Sequence, residues 1–381
     1  MKTPTYHESK PNNKQLIRWC KGHSSGINTL ITIAHLPIFS SSSLIISANE
    51  WQLNGFLMIF LKDTFARGAV PFLSLISGYL ALTSYLKHGY CRMIVNKAKR
   101  LLIPLALFNL LFILVFSYHA QVSNPSYRAD LSLYPFNLVG WLQAMFAINV
   151  LPANPPLYFL KDLFLCFLLL PLLFGLAKLR YINILFAAWL LYKVIYVKTT
   201  LIVPFAPLEF FRIDILFAFY VGMMLYHHGK DITLNNNKLN VKIIISYLFF
   251  CLIMAYPLLI LNQSEYPHLF LWLKFLIKLG GGISALCLMS MLCQPKLLAD
   301  MLRLLSKYSF TLFLTHNFTF LFIPRLFLAY FDRPYLTNLS GWFYVFVSLT
   351  GAFVAAIIIY EIWRYSKVGL RNLFSAIYRK V

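Results

Sequence analysis

The stretch FARGAVPFLSLISGYLAL, residues 65–82, carries one charged side chain, Arg67, among apolar and small residues. About 20 such residues cross the roughly 30 Å of bilayer hydrocarbon as a helix. This stretch therefore reads as a membrane span that opens on an arginine. The rest of the chain has the same character. Of its 381 residues 60% are hydrophobic and 12% charged, and the mean hydropathy is +0.69. Soluble domains average about 45–50% apolar and about 25% charged residues. A soluble enzyme, a disordered protein and a collagen-like chain are thereby excluded. The 35 Phe, 23 Tyr and 7 Trp suit helices that end in aromatic belts.

Working outward, ten apolar segments can be marked: 27–48, 68–86, 100–117, 157–178, 181–198, 208–227, 241–261, 270–293, 308–330 and 341–363. The expected fold is an all-α integral membrane protein with about ten transmembrane helices. The stretches 53–61 and 138–151 are too short to span and are expected to lie at the interface or to enter and return. The expected organisation is a segment 1–26, a membrane domain 27–363 and a basic tail 364–381. Residues 1–26 are polar and basic, with no short apolar core before a cleavage site, so the first apolar run is expected to remain as a helix.

The net charge is +22, from 34 Lys and Arg against 12 Asp and Glu. No nucleic-acid motif accompanies it. The basic residues instead sort by loop. With the N-terminus inside, the inner segments hold the runs Lys2 to Lys21, Lys87 to Arg100, Lys178 with Arg180, Lys230 to Lys242, Lys296 to Lys307 and the tail. The outer segments hold only Lys62, Arg67, Arg128, Lys198 and Arg333. Cytoplasmic loops are enriched in Lys and Arg, so both termini are expected in the cytoplasm. The six cysteines form no CxxC pair, and neither a metal site nor a disulfide framework is expected.

Ionisable groups inside hydrocarbon cost a few kcal/mol and need a reason to be there. His35 lies eight residues into the first span, followed by Pro37. Its imidazole either bonds a neighbouring helix or serves as a general base in a polar cavity. Arg67 either snorkels to the interface or faces a cavity. In the latter case Ser77-Gly78-Tyr79 permits close backbone approach, and Tyr79 is a candidate lining residue. Lys161 and Asp162 are adjacent and so are expected to point to different partners. Glu209 and Arg212 are three apart and are expected to pair on one helix face, with Asp214 close by. Lys274 and Lys278 are one turn apart ahead of Gly280-Gly281-Gly282, so an anion between them would be stabilising. His316, in YSFTLFLTHNF, is the second deep imidazole.

Taken in order, these pieces resemble the membrane-bound acyltransferase-3 family, the bacterial O-acyltransferases of surface polysaccharides. The resemblance rests on GINTLITIAHLPI with its deep His35 and on FARGAVPFLSLISGYL followed by KRLLIPL. It rests further on LYFLKDLFLCFLLLPLL, on FFRIDILFAFYVGMML and on YSFTLFLTH. It implies an inner-membrane enzyme that takes acetyl groups from acetyl-CoA to a hydroxyl of a polysaccharide or lipid-linked sugar. No cofactor is expected to be tightly bound, and the partners are acetyl-CoA, the sugar acceptor and membrane lipids, without nucleic acid. By the resemblance, His35 is the base and Arg67 the group that stabilises the developing oxyanion. The family signature places a basic residue eleven positions before the histidine, which here is Ser24. The charge is either displaced to Lys21, one helical turn earlier, or absent. Arg92, Lys97, Lys99 and Arg100 are candidates for the coenzyme A phosphates, although the positive-inside rule accounts for them equally. Lys161, Arg212, Lys274, Lys278 and His316 are further candidate binding residues. The rival readings are a flippase for lipid-linked sugars and a non-catalytic partner in polysaccharide synthesis.

Overall fold

A computed structural model describes residues 65–117, 131, 133–196, 200–201, 211–228, 237–260, 267–292, 294–330 and 339–378. The first expected span, 27–48, and the stretch 53–61 lie outside the described residues. A 3₁₀ turn, Phe65–Gly68, leads into α1 (Ala69–His88), and α2 (Tyr90–Phe112) follows with a π-helical turn, Ile113–Ser117. Next come α3 (Leu138–Phe146), α4 (Tyr158–Lys178), α5 (Arg180–Tyr196), the two-residue strands β1 (Thr200–Leu201) and β2 (Phe211–Arg212), and α6 (Ile213–His227). The remainder is α7 (Asn237–Ile260), α8 (Pro267–Leu292), α9 (Lys296–Tyr330) and α10 (Leu339–Tyr378).

Six helices among the described residues are long and apolar enough to cross a membrane: Ala69–His88, Tyr90–Val115, Pro155–Lys178, Asn237–Met254, His268–Leu292 and Phe343–Ser366. Shorter apolar helices occupy Tyr181–Tyr196 and Ile213–His227. Together they make a multi-pass membrane protein. The helical boundaries depart from the apolar segments wherever polar residues are helical too. α2 starts at Tyr90 rather than near 100, because its basic first turns continue the same helix. α9 starts at Lys296 rather than 308, and α10 runs on to Tyr378. Within the segment 208–227 the described helix is Ile213–His227. The residues just before it pair as strand, Thr200 opposite Arg212 and Leu201 opposite Phe211. Stretch 138–151 contains the short helix α3, capped by the Asn137 side chain, which accepts from the Val139 and Gly140 N–H groups.

The core joins α1, α2, α4 and α6 through Phe72, Leu105, Phe167, Leu170 and Phe219. Phe167 and Phe219 meet edge to face, their centroids 5.4 Å apart. At the centre of this packing two glycines let backbones touch. Gly78 of α1 lies against the Phe219 carbonyl, and Gly222 of α6 lies against the Leu75 carbonyl. Each glycine meets the carbonyl three residues before its counterpart. That reciprocity is made by two helices running in the same direction and crossing at small residues. α1 and α6 therefore begin at the same end of the bundle. The turn into α2 is set by Gly89, whose φ of 74° is costly for residues with a Cβ.

The two helix starts also share a level. Gly68 packs on the backbone of Gly281 and Gly282, and Asp214 reaches Lys278, all near the middle of the 26-residue α8. At 1.5 Å per residue the 15-residue α6 is only about 22 Å long. The chain thus enters the bundle as a short ribbon and becomes helical only at depth. Such irregular backbone is tolerated in a membrane protein where protein or a polar cavity surrounds it.

Candidate active site

The ribbon and the first turns of α4 and α6 gather five charged side chains. Lys161 and Asp162, 7% and 0% exposed, sit in the first turns of α4. Lys161 Nζ lies 3.6 Å from Asp162 Oδ1 and donates to the Ala147 carbonyl at 3.3 Å. That carbonyl is presented because Ala147 closes α3 in the left-handed conformation, φ 56°. Asp162 Oδ2 accepts from the Arg212 backbone N–H at 3.3 Å, which ties β2 to α4. The Arg212 guanidinium lies over the Tyr158 ring, 3.5 Å from its centroid, a cation–π contact. Asp214, in the first turn of α6, accepts from the Ile215 N–H at 3.1 Å with one oxygen. Its other oxygen accepts from Lys278 Nζ at 2.7 Å.

Three cations against two carboxylates leave one positive charge in excess among these five. The α6 N-terminus adds a partial positive charge of about one half at the same place. Buried ions are tolerated only when paired and hydrogen-bonded; here the pairing is nearly complete and the surplus is positive. The 3₁₀ turn that carries Arg67 reaches the same level through the contact of Gly68 with α8. An apolar cavity of about 350 Å³ adjoins the cluster. It is lined by Phe72, Leu75, Phe217, Val221 and Ile283, with Asp214 and Lys278 on its wall. A fixed cation beside an apolar space suits the stabilisation of an oxyanion during acyl transfer.

The acyltransferase-3 family model, described as an acyltransferase domain, matches residues 29–361. The chain belongs to the acyltransferase-3 family. Over 205 residues it is 32% identical to the succinoglycan biosynthesis protein ExoH of Rhizobium meliloti (strain 1021). That alignment covers 53% of this chain and 52% of the relative, so the match spans about half the length of the curated protein. No solved structure matches.

Within this acyltransferase-3 chain, Lys161, Arg212 and Lys278 converge, as do Asp162 and Asp214. Several pairings differ from those expected. Arg212 is extended rather than helical, since α6 begins one residue later; its expected partner Glu209 lies outside the described residues. Lys161 and Asp162 do contact each other although they are neighbours, since the long lysine bends back within the buried site. Each also has a second partner, as the spacing required. The anion beside Lys278 is the protein's own Asp214. Lys274 lies over the Phe270 ring at 4.0 Å.

Lys97 turns inward over the Phe167 ring at 4.2 Å, whereas Arg92, Lys99 and Arg100 are exposed. Tyr79 is buried, edge to face with Tyr226 at 5.2 Å. His316 is fully buried between Phe313 and Phe320, its Nδ1 3.2 Å from the Leu312 carbonyl. Lys21, Ser24, His35 and the side chain of Arg67 lie outside the described residues. Among the described residues no cluster of His, Cys, Asp or Glu could hold a metal ion.

The sequence reading missed a chain of amides. Asn109 of α2 donates to the Met145 carbonyl at 2.8 Å and accepts from the Asn154 N–H at 2.9 Å. Asn154 in turn accepts from Asn317 of α9 at 2.8 Å. Asn109 and Asn154 are 0% and 1% exposed. This network ties the residue next to His316 to the loop that enters α4. Its only sequence signal is an amide isolated in an apolar run, and an amide that looks isolated in sequence gives no hint of its partner.

Proposed function

We propose that this chain transfers an acetyl group from acetyl-CoA to a sugar hydroxyl of a cell-surface polysaccharide or its lipid-linked precursor, in the bacterial inner membrane. The observation that carries the reading is the membership of residues 29–361 in an acyltransferase family, joined to a buried charged cluster with a positive surplus. The succinoglycan-biosynthesis relative supports a polysaccharide acceptor. In this reading His35 takes the proton of the attacking hydroxyl. The tetrahedral oxyanion forms beside Arg67 and the cations at the starts of α4 and α6. Collapse expels the thiolate of coenzyme A, whose phosphates are held by the basic face of α2. The bundle has about ten spans, and both termini are cytoplasmic.

The deciding experiment is NMR of surface glycan from cells with and without the gene. Ester acetyl signals present only with the gene support the reading, and identical spectra refute it. The topology has its own test, in a chain whose native cysteines are replaced by serine. Asp130→Cys is expected to react with an impermeant maleimide added to intact cells, and Asn235→Cys to stay unlabelled until the cells are opened. Labelling of position 235 in intact cells would reverse the topology and remove α2 from the cytoplasmic donor.

A further inference from the structure

Lys278 and Gly281 stand three residues apart on α8, so they face the same side of that helix. Lys278 is held by Asp214 at 2.7 Å, and Gly281 is in backbone contact with Gly68, the residue after Arg67. A Cβ at either glycine would collide with its neighbour: at Gly68 with the Gly281 and Gly282 backbone, at Gly281 with the Tyr247 hydroxyl. The fit therefore tolerates little rotation of α8. Tyr247 of α7 also donates to the Ile277 carbonyl at 3.2 Å, one turn before Gly281 on the same face of α8. To this contact the Asp214–Lys278 ion pair adds a charged one that resists rotation of α8. Asp214 is itself fixed, since its second oxygen accepts from the Ile215 N–H in the first turn of α6.

We infer that Asp214 and Lys278 are positioning residues: their ion pair is a latch that rotates α8 so that Gly281 seats the turn presenting Arg67. This rests on the acyltransferase reading, because it assigns the latch a purpose through Arg67. The pair does not bind substrate. It sets where the backbone of the Arg67 turn stands in the bundle, and displacement of a catalytic group by about 1 Å can cost a hundredfold in rate.

The test uses the full chain in inverted membrane vesicles that supply the acceptor, with radiolabelled acetyl-CoA as donor. The single variants Asp214→Asn and Lys278→Met each leave the partner's charge uncompensated, so both turnover and folded yield are expected to fall. The double variant Asp214→Asn/Lys278→Met removes both charges. Its folded yield and Tm are expected to return close to those of the parent, because with both charges removed neither is left uncompensated. Its kcat is expected to stay down by about a hundredfold, with the KM for acetyl-CoA unchanged, as for an interaction needed only in the transition state. Amide exchange in the first two turns of α1 is expected to speed up in the double variant, and exchange in α4 to stay as it was.

A double variant with parental kcat would show that the pair only stabilises the fold and would overturn the latch. A raised KM with normal kcat would show instead that Lys278 touches the donor, and would overturn it too. If the parent vesicles transfer no acetyl group, the acyltransferase reading fails. The exchange measurement still separates a latched α1 from an unlatched one in that case.

Discussion

His35→Ala is expected to lower glycan acylation by roughly 10²–10⁴-fold, the usual contribution of a positioned general base, while the chain still inserts and folds. A sugar hydroxyl is a weak nucleophile near neutral pH, and attack on a thioester requires that its proton leave as the bond forms. Imidazole is suited to that task because its proton affinity lies near the working pH. No other residue of the first apolar run can take its place, since residues 27–48 hold no second ionisable side chain. The measurement is acetyl incorporation from labelled acetyl-CoA, normalised to the amount of folded protein. Full activity in normally expressed His35→Ala protein would remove this residue from the mechanism.

The second large effect concerns folding. Gly78→Val is expected to deplete the folded protein, because its Cβ would overlap the Phe219 carbonyl where α1 crosses α6. Relief requires the two helices to separate, which breaks the packing of Phe72, Phe167 and Phe219 and shifts Asp214 away from Lys278. Overpacking of this kind costs about 3 kcal/mol or more, a large part of the roughly 5–15 kcal/mol that holds a protein folded. Gly175→Val is the matched control, since a Cβ on Gly175 of α4 meets nothing within 4 Å. The readout is the yield of monodisperse protein after detergent extraction and its Tm. Parental behaviour of Gly78→Val would show that α1 and α6 do not cross at these glycines.

The family and the membrane class were legible in the chain because each depends on local properties. Hydropathy over a window of about 20 residues decides whether a helix is at home in hydrocarbon. FARGAVPFLSLISGYL is likewise a contiguous motif that can be read residue by residue. The nature of the site was half legible. Lys161, Asp162, Arg212, Asp214 and Lys278 drew attention as charges where charges are expensive, and the structure does bring these five together.

What the linear chain could not specify was who meets whom. Reading 208–227 as one apolar segment put Arg212 on a helix with Glu209, although β2 holds it extended and its backbone N–H serves Asp162 of α4 instead. The i,i+4 spacing of Lys274 and Lys278 suggested a shared anion, whereas the rotation of α8 gives Lys278 to Asp214 and leaves Lys274 over Phe270. Asn109, Asn154 and Asn317 were passed over because their partners lie at least 36 positions apart in sequence. By itself, then, the sequence determined that the chain crosses the membrane as helices, which family it resembles and which side chains are too costly to be incidental, since burial and propensity act locally. Only the tertiary structure decided how those side chains pair and where the Arg67 turn sits, because both follow from helix rotations and glycine contacts made between distant parts of the chain.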